Sequence, residues 1–320
     1  MKTTHTYRIG FFLIPDFSML SFSAVIEPLR MANRLAGCDL YQWDIYGFED
    51  KEVSASNGVS FSPTQSVNNI AHLDLLLVVA GIGAHVAAAS GSVNQWLKQA
   101  LRQGIAVGST STGSVLLAKA GLLKNKTCTV HWESANSLAE EFPNINVTSE
   151  LYEFDPRTPT CSGGLAGLDM MLHLITNQHG SDLANQVAEQ CIHPAIRPAH
   201  DKQRMSLIRK HNIRHPRLLD AVEIMEANME EPLKCYEIGE QVGLSVRQME
   251  RLFLQYLQDK PGNYYLQLRL ERAQHLLLQT MLSITQISTA CGFSSTSYFA
   301  RCYKKRYEKT PREERRLAYD

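Results

Sequence analysis

Hydroxyl side chains crowd a turn in the stretch GIAVGSTSTGSVLLAKAG, where Ser111 and Thr112 precede Gly113. A serine hydroxyl acts as a nucleophile only when a base, and a group that orients the base, are positioned to activate it. Such partners are not evident in the sequence around Ser111. His131, in a His-Trp pair, fits a ligand contact and an ordinary core histidine almost equally. The turn therefore favours a ligand pocket, and a serine hydrolase remains the alternative.

A different chemistry is indicated by a short turn that occurs twice in the last third of the chain. The stretch IGEQVGLS, ending at Ser245, matches ISTACGFS, ending at Ser294. Each copy contains a glycine that can end a helix in the left-handed conformation, then an apolar residue, then a serine that can cap the next helix. The duplication predicts two helix-turn-helix units.

The second helix of each unit offers polar side chains of the kind that contact base edges and phosphates. An ordinary helical bundle with surface arginines is the alternative, which the matched duplication disfavours. The predicted DNA contacts are Ser245, Arg247, Gln248 and Arg251 in the first copy and Ser294, Ser295, Thr296, Ser297, Arg301, Lys304 and Lys305 in the second.

The stretch PGNYYLQLRLERAQHLLLQT, residues 261–280, predicts a helix that joins the two units. If this helix is stiff, the two recognition helices can enter successive segments of the major groove, about one turn or roughly 34 Å apart. No convincing alternating strand pattern occurs between residues 217 and 320, so an all-α domain is expected there.

The first half of the chain alternates strand patterns with amphipathic helical patterns. Strands are predicted at 7–14, 41–48, 73–79 and 105–107, and helices at 22–35, 93–103, 113–120 and 165–177. This alternation predicts an α/β domain with a doubly wound, flavodoxin-like parallel sheet. Ligands bind such sheets at the carboxyl ends of strands, and backbone N–H groups at the start of the following helix suit a carboxylate.

Charge also divides the chain. Residues 1–193 contain 11 Lys and Arg against 17 Asp and Glu, whereas residues 194–320 contain 21 against 15. The basic part predicts a polyanionic partner. The stretch HPAIRPAHDKQRMSLIRKHNIRHP is basic and contains interior prolines, as linkers often do. The predicted organisation is an α/β domain at 1–193, a linker at 194–216 and an all-α domain with two helix-turn-helix motifs at 217–320.

Several classes of protein are disfavoured. No run approaches the roughly 18 apolar residues of a membrane span, and the first apolar stretch is broken by Pro15 and Asp16, with no cleavage site of a signal peptide behind it. The seven cysteines are scattered, without a CxxC pair, which suits reduced thiols better than disulfides or a zinc site. A cytoplasmic protein at the nucleoid, without metal or cofactor, is expected.

Residues 217–316 resemble the DNA-binding domain of the AraC/XylS family of regulators. The stretch ISTACGFSSTSYFARCYKKRYEKTPREER is similar to the signature of that family, including the spacing of Tyr307, Pro311 and Arg315. The resemblance implies seven helices and sequence-specific binding to double-stranded promoter DNA. It also suggests a homodimer that activates transcription through RNA polymerase.

The stretch GIAVGSTSTGSVLLAKAGLLKNKTCTVHW resembles the nucleophile elbow of PfpI-type, class I glutamine amidotransferase-like proteins. Regulators that join this domain to an AraC-type domain form the GlxA-like group, and the resemblance covers nearly the whole chain. Where the enzymes have a cysteine and an acidic residue, this chain has Ser111 and Ser21, whereas His131 remains. The resemblance implies a sensor without catalysis. The alternative is an amidase or peptidase that uses Ser111 and carries a DNA-binding appendage.

The stretches FSMLSFSAVIEPLRMANRL and IRPAHDKQRM are similar to members of this group that respond to quaternary amines or amino acids. An amino-acid-like or betaine-like effector is therefore expected. Glu27 would meet its cationic head and Trp132 would offer a cation–π face, although Glu27 fits a salt bridge within its own helix equally well. The predicted ligand contacts are Glu27, Gly81, Ser111, Thr112, His131 and Trp132.

Overall fold

The computed structural model describes residues 5–47, 51–67, 70, 72–203, 215–280 and 282–319. The chain divides into two compact units, Met1–Gln203 and Arg204–Asp320. The first unit thus continues past the domain end predicted at residue 193 and includes residues 194–203, which the sequence assigned to the linker. Residues 204–214 of the predicted linker, and the predicted strand end at Phe48, lie outside the described residues, whereas Pro216, predicted to end the linker, already begins a helix.

The first unit is built around a seven-stranded sheet. The described residues of the whole unit, including strands outside this sheet, form β1 (Tyr7–Leu13), β2 (Tyr41–Gly47), β3 (Val53–Ser54), β4 (Ser60–Phe61), β5 (Gln65–Ser66), β6 (Leu75–Val79), β7 (Ala106–Thr110), β8 (Thr127–Thr129), β9 (Asn146–Thr148), β10 (Tyr152–Glu153) and β11 (Thr160–Cys161). The main sheet has the order β10-β11-β7-β6-β1-β2-β5. All its neighbours are parallel except β10 and β11, while β3–β4 and β8–β9 form separate pairs.

Helices cover both faces of this sheet. They are α1 (Met19–Ala36), α2 (Ala84–Ala88), α3 (Gly91–Arg102), α4 (Gly113–Lys119), α5 (Trp132–Glu141), α6 (Ala166–His179) and α7 (Ser181–Gln190). The five central parallel strands, counted along the chain, lie in the order 2-1-3-4-5. That order is the one found in flavodoxin-like folds, so the predicted doubly wound architecture is confirmed.

Alternation along β1 explains the two hydrophobic layers. Phe11 and Leu13 point to one face of the sheet and belong to the core shared with α1, α6 and α7. Phe12 points to the other face, where its ring lies 4.7 Å from the ring of Trp96 in a second core. Side chains of a strand alternate between faces, and here both faces are buried, as expected of a parallel sheet.

The second unit is all-α in its described residues, as predicted. Its helices are α8 (Pro216–Ala227), α9 (Cys235–Gln241), α10 (Val246–Leu257), α11 (Pro261–Gln279), α12 (Ile284–Ala290), α13 (Thr296–Tyr307) and α14 (Pro311–Tyr319). The pairs α9–α10 and α12–α13 are the two helix-turn-helix units, and α11 joins them. Tyr265 and Leu268 of α11 pack into the hydrophobic core of the first helix-turn-helix, whereas Leu276 and Leu277 pack into that of the second. None of the described helices has the length and apolar character to cross a membrane.

Candidate ligand pocket and nucleic-acid interface

Ser111 forms a strained elbow between β7 and α4. Its backbone φ is 60°, in the left-handed region that residues other than glycine seldom adopt, and its side chain is buried. Gly163, in the loop after β11, packs so closely on the elbow that a Cβ there would lie 2.8 Å from the Cα of Ser111. Strain of this kind persists where the surrounding structure imposes it, and it is concentrated at functional sites.

Loops from neighbouring strands converge on the elbow. The Thr112 hydroxyl donates to the carbonyl oxygen of Gly81, at 2.5 Å, in the loop after β6. Gly81 in turn lies against the loop after β1, where an added Cβ would come within 2.2 Å of the Asp16 carbonyl oxygen. The carboxyl ends of β1, β6, β7 and β11 therefore meet at one edge of the sheet, where doubly wound folds bind ligands.

Ser21, near the start of α1, also lies against Gly163, since a Cβ added to that glycine would come within 3.1 Å of the Ser21 Oγ. Its hydroxyl accepts a hydrogen bond from the Gly164 N–H at 2.8 Å, and the residue is 1% exposed. The position that the family resemblance assigned to an acidic residue is thus filled by a hydroxyl. This hydroxyl supports the backbone of the loop that contains Gly163 and Gly164, here called the glycine loop. Nothing at this position supplies a charge that could orient a catalytic base.

His131 joins the site through its backbone. Its N–H donates to the Ser111 carbonyl oxygen at 3.1 Å, and its ring lies 5.5 Å from that of Trp132. Burial lowers the pKa of the imidazole, and Glu133, whose Oε2 lies 3.8 Å from Nδ1, offsets part of that shift. Within the described part of the chain, no hydrogen bond joins the imidazole to the Ser111 hydroxyl, so this arrangement does not activate Ser111.

The first helix-turn-helix turn follows the predicted pattern. Gly243 has a φ of 67°, and Ser245 caps α10, accepting from the N–H of Gln248 at 3.3 Å. Gln248 returns the contact, since its Oε1 accepts from the Ser245 N–H at 2.8 Å. This reciprocal capping box occupies the amide oxygen of Gln248, so only its Nε2 is left to meet a base edge.

The second turn differs from the predicted pattern by one residue. Gly292 again has a positive φ, 68°, but the residue that caps α13 is Ser295, whose hydroxyl accepts from the Tyr298 N–H at 3.2 Å. The expectation that Ser294 is the cap is therefore wrong. An extra serine after the apolar residue moves the helix start by one position relative to the first copy.

The predicted DNA-contacting side chains lie on the outer surfaces of α10 and α13. All of them are exposed except Thr296, which is half-buried. Among the described residues, no carboxylate forms an ion pair with any of their cations, which are Arg247, Arg251, Arg301, Lys304 and Lys305. Arg301 lies over the ring of Tyr298, 5.5 Å from its centroid. Cations without an internal partner are available to neutralise phosphates.

Comparison with known proteins identifies both halves of the chain. Residues 8–177 match the model of the DJ-1/PfpI family, and residues 238–317 match that of a helix-turn-helix domain. The HTH-type transcriptional regulator CdhR of Pseudomonas aeruginosa is 42% identical, over 95% of this chain and 90% of its own length. The chain belongs to the AraC-type transcriptional regulators with a DJ-1/PfpI domain.

The regulator is also 35% identical to the HTH-type transcriptional regulator GlxA of Rhizobium meliloti, over 97% of this chain and 95% of its own length. A crystal structure of an AraC family transcriptional regulator from Pseudomonas putida matches with a TM-score of 0.52 and 27% identity, covering 58% of this chain and 99% of that one. The resemblances to the AraC/XylS family and the GlxA-like group are confirmed.

The regulator does not bring all six predicted ligand contacts together. Gly81, Ser111, Thr112, His131 and Trp132 share the carboxyl edge of the sheet, but Glu27 lies further along α1. Its carboxylate accepts from the Nε and Nη2 of Arg30, at 2.9 and 2.6 Å. The salt bridge within its own helix, which the sequence left open, is the contact that forms. Glu27 and Arg30 are about one helical turn apart on α1, so this salt bridge forms without any ligand.

Burial keeps two cysteine thiols of the first unit protonated near neutral pH. Cys161, at the end of β11, and Cys128, on β8, are both buried, and burial raises the pKa of each to about 12. A protonated thiol neither attacks a carbonyl group nor binds a metal. The described residues also contain no cluster of three or more side chains that could hold a metal ion.

Two kinds of residue in the DNA-binding unit escaped sequence reasoning. Val246 and Tyr298, on the recognition helices, are 41% and 40% exposed, yet neither was among the predicted DNA contacts. Arg217 and Arg269 hold the two turns, and Arg217 donates to the Gly243 carbonyl oxygen at 3.0 Å. The first pair could have been found from its position beside the helix caps. The second pair depends on contacts between distant helices, which no local pattern reveals.

Proposed function

We propose that this regulator binds promoter DNA through α10 and α13 and that an amino-acid-like or betaine-like molecule controls the binding. The molecule would bind at the carboxyl edge of the sheet, against the Ser111 elbow. The observation that carries the proposal is the elbow itself. Four strand ends converge on a strained, buried Ser111, while a catalytic constellation around it is missing from the described residues. An elbow kept without catalytic partners suits a sensor.

The DNA side of the proposal rests on the exposed cations of the recognition helices. Arg247, Arg251 and Arg301 are exposed and form no ion pair within the described residues, so they can bind phosphates or guanine edges without first breaking an ion pair. The capping serines fix the starts of both helices, and helix-turn-helix proteins present that end of the recognition helix to the major groove.

The ligand side of the proposal rests on the residues around His131. Burial lowers the pKa of His131, so the ring is neutral near pH 7 and suits a hydrogen bond rather than a charge contact. Glu133 lies beside it and is exposed, so a cationic head has a carboxylate there that does not depend on Glu27. Trp132 adds an aromatic ring 5.5 Å from that of His131, and a ring of this kind attracts quaternary ammonium groups.

We further propose that the regulator is not an enzyme and acts in the cytoplasm at the nucleoid. The absence of a base bound to Ser111 in the described residues and the protonated thiols nearby support the first point. The AraC-type family supports a homodimer that activates transcription with RNA polymerase. These parts are tested separately from the ligand proposal.

DNA binding is tested by mapping the purified full-length protein on fragmented DNA of its own organism at moderate salt. Sharp sites near promoters are expected, and the strongest fragment then serves as the operator in titrations. Weak binding without sequence preference, lost as salt rises, would contradict the proposal.

Ligand binding is tested by thermal shift with glycine betaine, choline, L-arginine and L-glutamate, and with succinate as a compound that has no ammonium group. At least one amine is expected to stabilise the protein, and Trp132→Ala and Glu133→Gln should each weaken the effect. Glu27→Gln is the matched control and should leave it intact. Stabilisation by succinate alone would overturn the proposed ligand class.

A hydrolase that uses Ser111 is the second candidate, and the strained elbow favours it because hydrolases hold their nucleophile in such a turn. Amidase and peptidase substrates are tested with the wild type and Ser111→Ala. Turnover that Ser111→Ala abolishes would establish the hydrolase. If Ser111→Ala leaves DNA affinity unchanged and alters only the ligand response, the sensor is supported.

A further inference from the structure

Residues 193–203, here called the strap, run over the first unit and end where the second unit begins, at Arg204. Three sets of contacts attach the strap to the first unit. One lies at Asp169 on α6, one at Gln203, and between them the Leu151 N–H donates to the Ala199 carbonyl oxygen at 2.8 Å. A segment held at both ends in this way is a part of the domain and not a free linker.

The first anchor is a buried carboxylate. Asp169 is fully buried, and it accepts from the N–H, Nε and Nη2 of Arg197 at 2.8, 2.9 and 2.7 Å. His193 adds a contact of 2.9 Å between its Nε2 and the same carboxylate. A buried charge is tolerated only when partners of this quality satisfy it, and a two-pronged arginine contact is among the strongest of these.

The first anchor is close to the pocket along the chain. Asp169 lies in the first turn of α6, and that helix follows directly on the glycine loop. Gly163 of the loop packs on Ser111, and Gly164 donates to Ser21. A ligand that moves the glycine loop therefore moves the start of α6 and the carboxylate that holds Arg197.

The second anchor is Gln203. Its Nε2 lies 2.9 Å from the Thr129 hydroxyl oxygen, 3.1 Å from the Val130 carbonyl oxygen and 2.9 Å from that of Glu150, so its two N–H groups are shared among three acceptors. Val130 directly precedes His131, whose N–H donates to the Ser111 carbonyl oxygen. The last residue of the strap is thus joined, through Val130 and His131, to the backbone of the Ser111 elbow.

We propose that the strap is the element through which pocket occupancy reaches the DNA-binding unit. Both anchors trace back to residues that contact Ser111, one through the glycine loop and one through His131. A ligand that shifts either wall changes how firmly Arg197 and Gln203 hold the strap, and the second unit starts at the next residue. The inference rests on the proposed ligand binding, but the contacts that it uses can be tested without a ligand.

The test uses the full-length protein and its selected operator, with hydrogen exchange of the strap and DNA affinity as readouts. Gln203→Ala and Arg197→Met release one anchor each, and Gly163→Ala perturbs the pocket wall without touching the strap. All three should speed exchange of the Leu151 amide by at least about tenfold and change the Kd for the operator in the same direction by at least about threefold. Gly121→Ala is the matched control, because Gly121 also has a positive φ, 73°, but open space around its Cβ position.

Two results would overturn the inference. Faster strap exchange with an unchanged Kd would show that the strap does not govern DNA binding. Unchanged strap exchange in Gly163→Ala, with the fold intact by circular dichroism, would show that the pocket wall does not reach the strap. If no compound stabilises the wild type, the proposed effector fails, whereas the three variants still decide whether the strap couples the two units.

Discussion

Arg269 on α11 donates from its Nη2 to the carbonyl oxygen of Gly292, at 2.6 Å, in the turn of the second helix-turn-helix unit. Its Nε donates to the Cys291 carbonyl oxygen at 2.7 Å, and its guanidinium lies 4.4 Å from the centre of the Phe293 ring. One side chain from the joining helix thus satisfies two carbonyl groups of the turn that follows α12 and covers the apolar residue of that turn. We expect the orientation of α13 to depend on this contact.

Replacing Arg269 by Met, which keeps the apolar stem and removes the donors, should therefore destabilise the second turn. Leaving two carbonyl oxygens without their partner costs about 1–3 kcal/mol, measured as the loss in the free energy of unfolding by calorimetry. Lys309→Met removes an exposed positive charge from the same unit and should leave this free energy unchanged. An equal loss in both variants would mean that net charge, and not the turn contact, is responsible.

Phosphate contacts by the recognition helices predict a definite salt dependence. Arg251→Ala and Arg301→Ala should each weaken binding to all DNA sequences and reduce the slope of log Kd against log salt by about 1, because each removes one phosphate contact. Fluorescence anisotropy across a series of salt concentrations measures this slope. A variant that loses affinity with an unchanged slope would place that arginine on a base edge.

Val246 is the first residue of α10 and its side chain is largely exposed, a position from which an apolar group can meet the methyl group of thymine. Replacing one operator thymine by deoxyuridine removes that methyl group and leaves the base pairing intact. At the contacted thymine we expect a loss of about 0.8 kcal/mol, or roughly fourfold in Kd. Val246→Ala should abolish the difference in Kd between the thymine and deoxyuridine operators. Tyr298→Ala should do the same at a thymine that the second helix-turn-helix contacts. Equal Kd values at every thymine would contradict this role.

His85, on α2, predicts a loss of stability in mild acid. Burial lowers the pKa of the imidazole, so the unfolded chain, with an ordinary pKa near 6.5, takes up the proton first. Its contribution to stability is therefore complete above about pH 6.5 and is lost as the pH falls through the lower, folded-state value. Thermal unfolding at about pH 7.5 and about pH 5.5 should show a smaller decrease in Tm for His85→Gln than for the wild type. His72→Gln, at an exposed position, is the control, and an equal change in both variants would contradict the prediction.

Local sequence signals were sufficient for the fold class and for the DNA-binding motif. Strand and helix periodicity gave the doubly wound sheet, because a buried strand and an amphipathic helix each reveal themselves within about ten residues. The glycines at 243 and 292 and the serine at 245 took the backbone roles that their chemistry favours. The second cap shifted from Ser294 to Ser295 because two adjacent serines satisfy the same local rule, and only the packed helix selects one of them.

The tertiary structure decided how distant residues are used. Asp169 and Arg197 form their buried pair, and Gln203 reaches Thr129, across stretches of chain that no periodic pattern connects. The amide oxygen of Gln248 accepts a hydrogen bond from the cap of its own helix, and the Glu27 carboxylate pairs with Arg30. Both partners lie within one helical turn, whereas a ligand or DNA would have to bind from solution. The amino-acid sequence by itself determined the elements and the presence of the elbow and the two turns. Only the folded chain determined which side chains remain available to ligand and DNA, since availability depends on every competing contact in three dimensions.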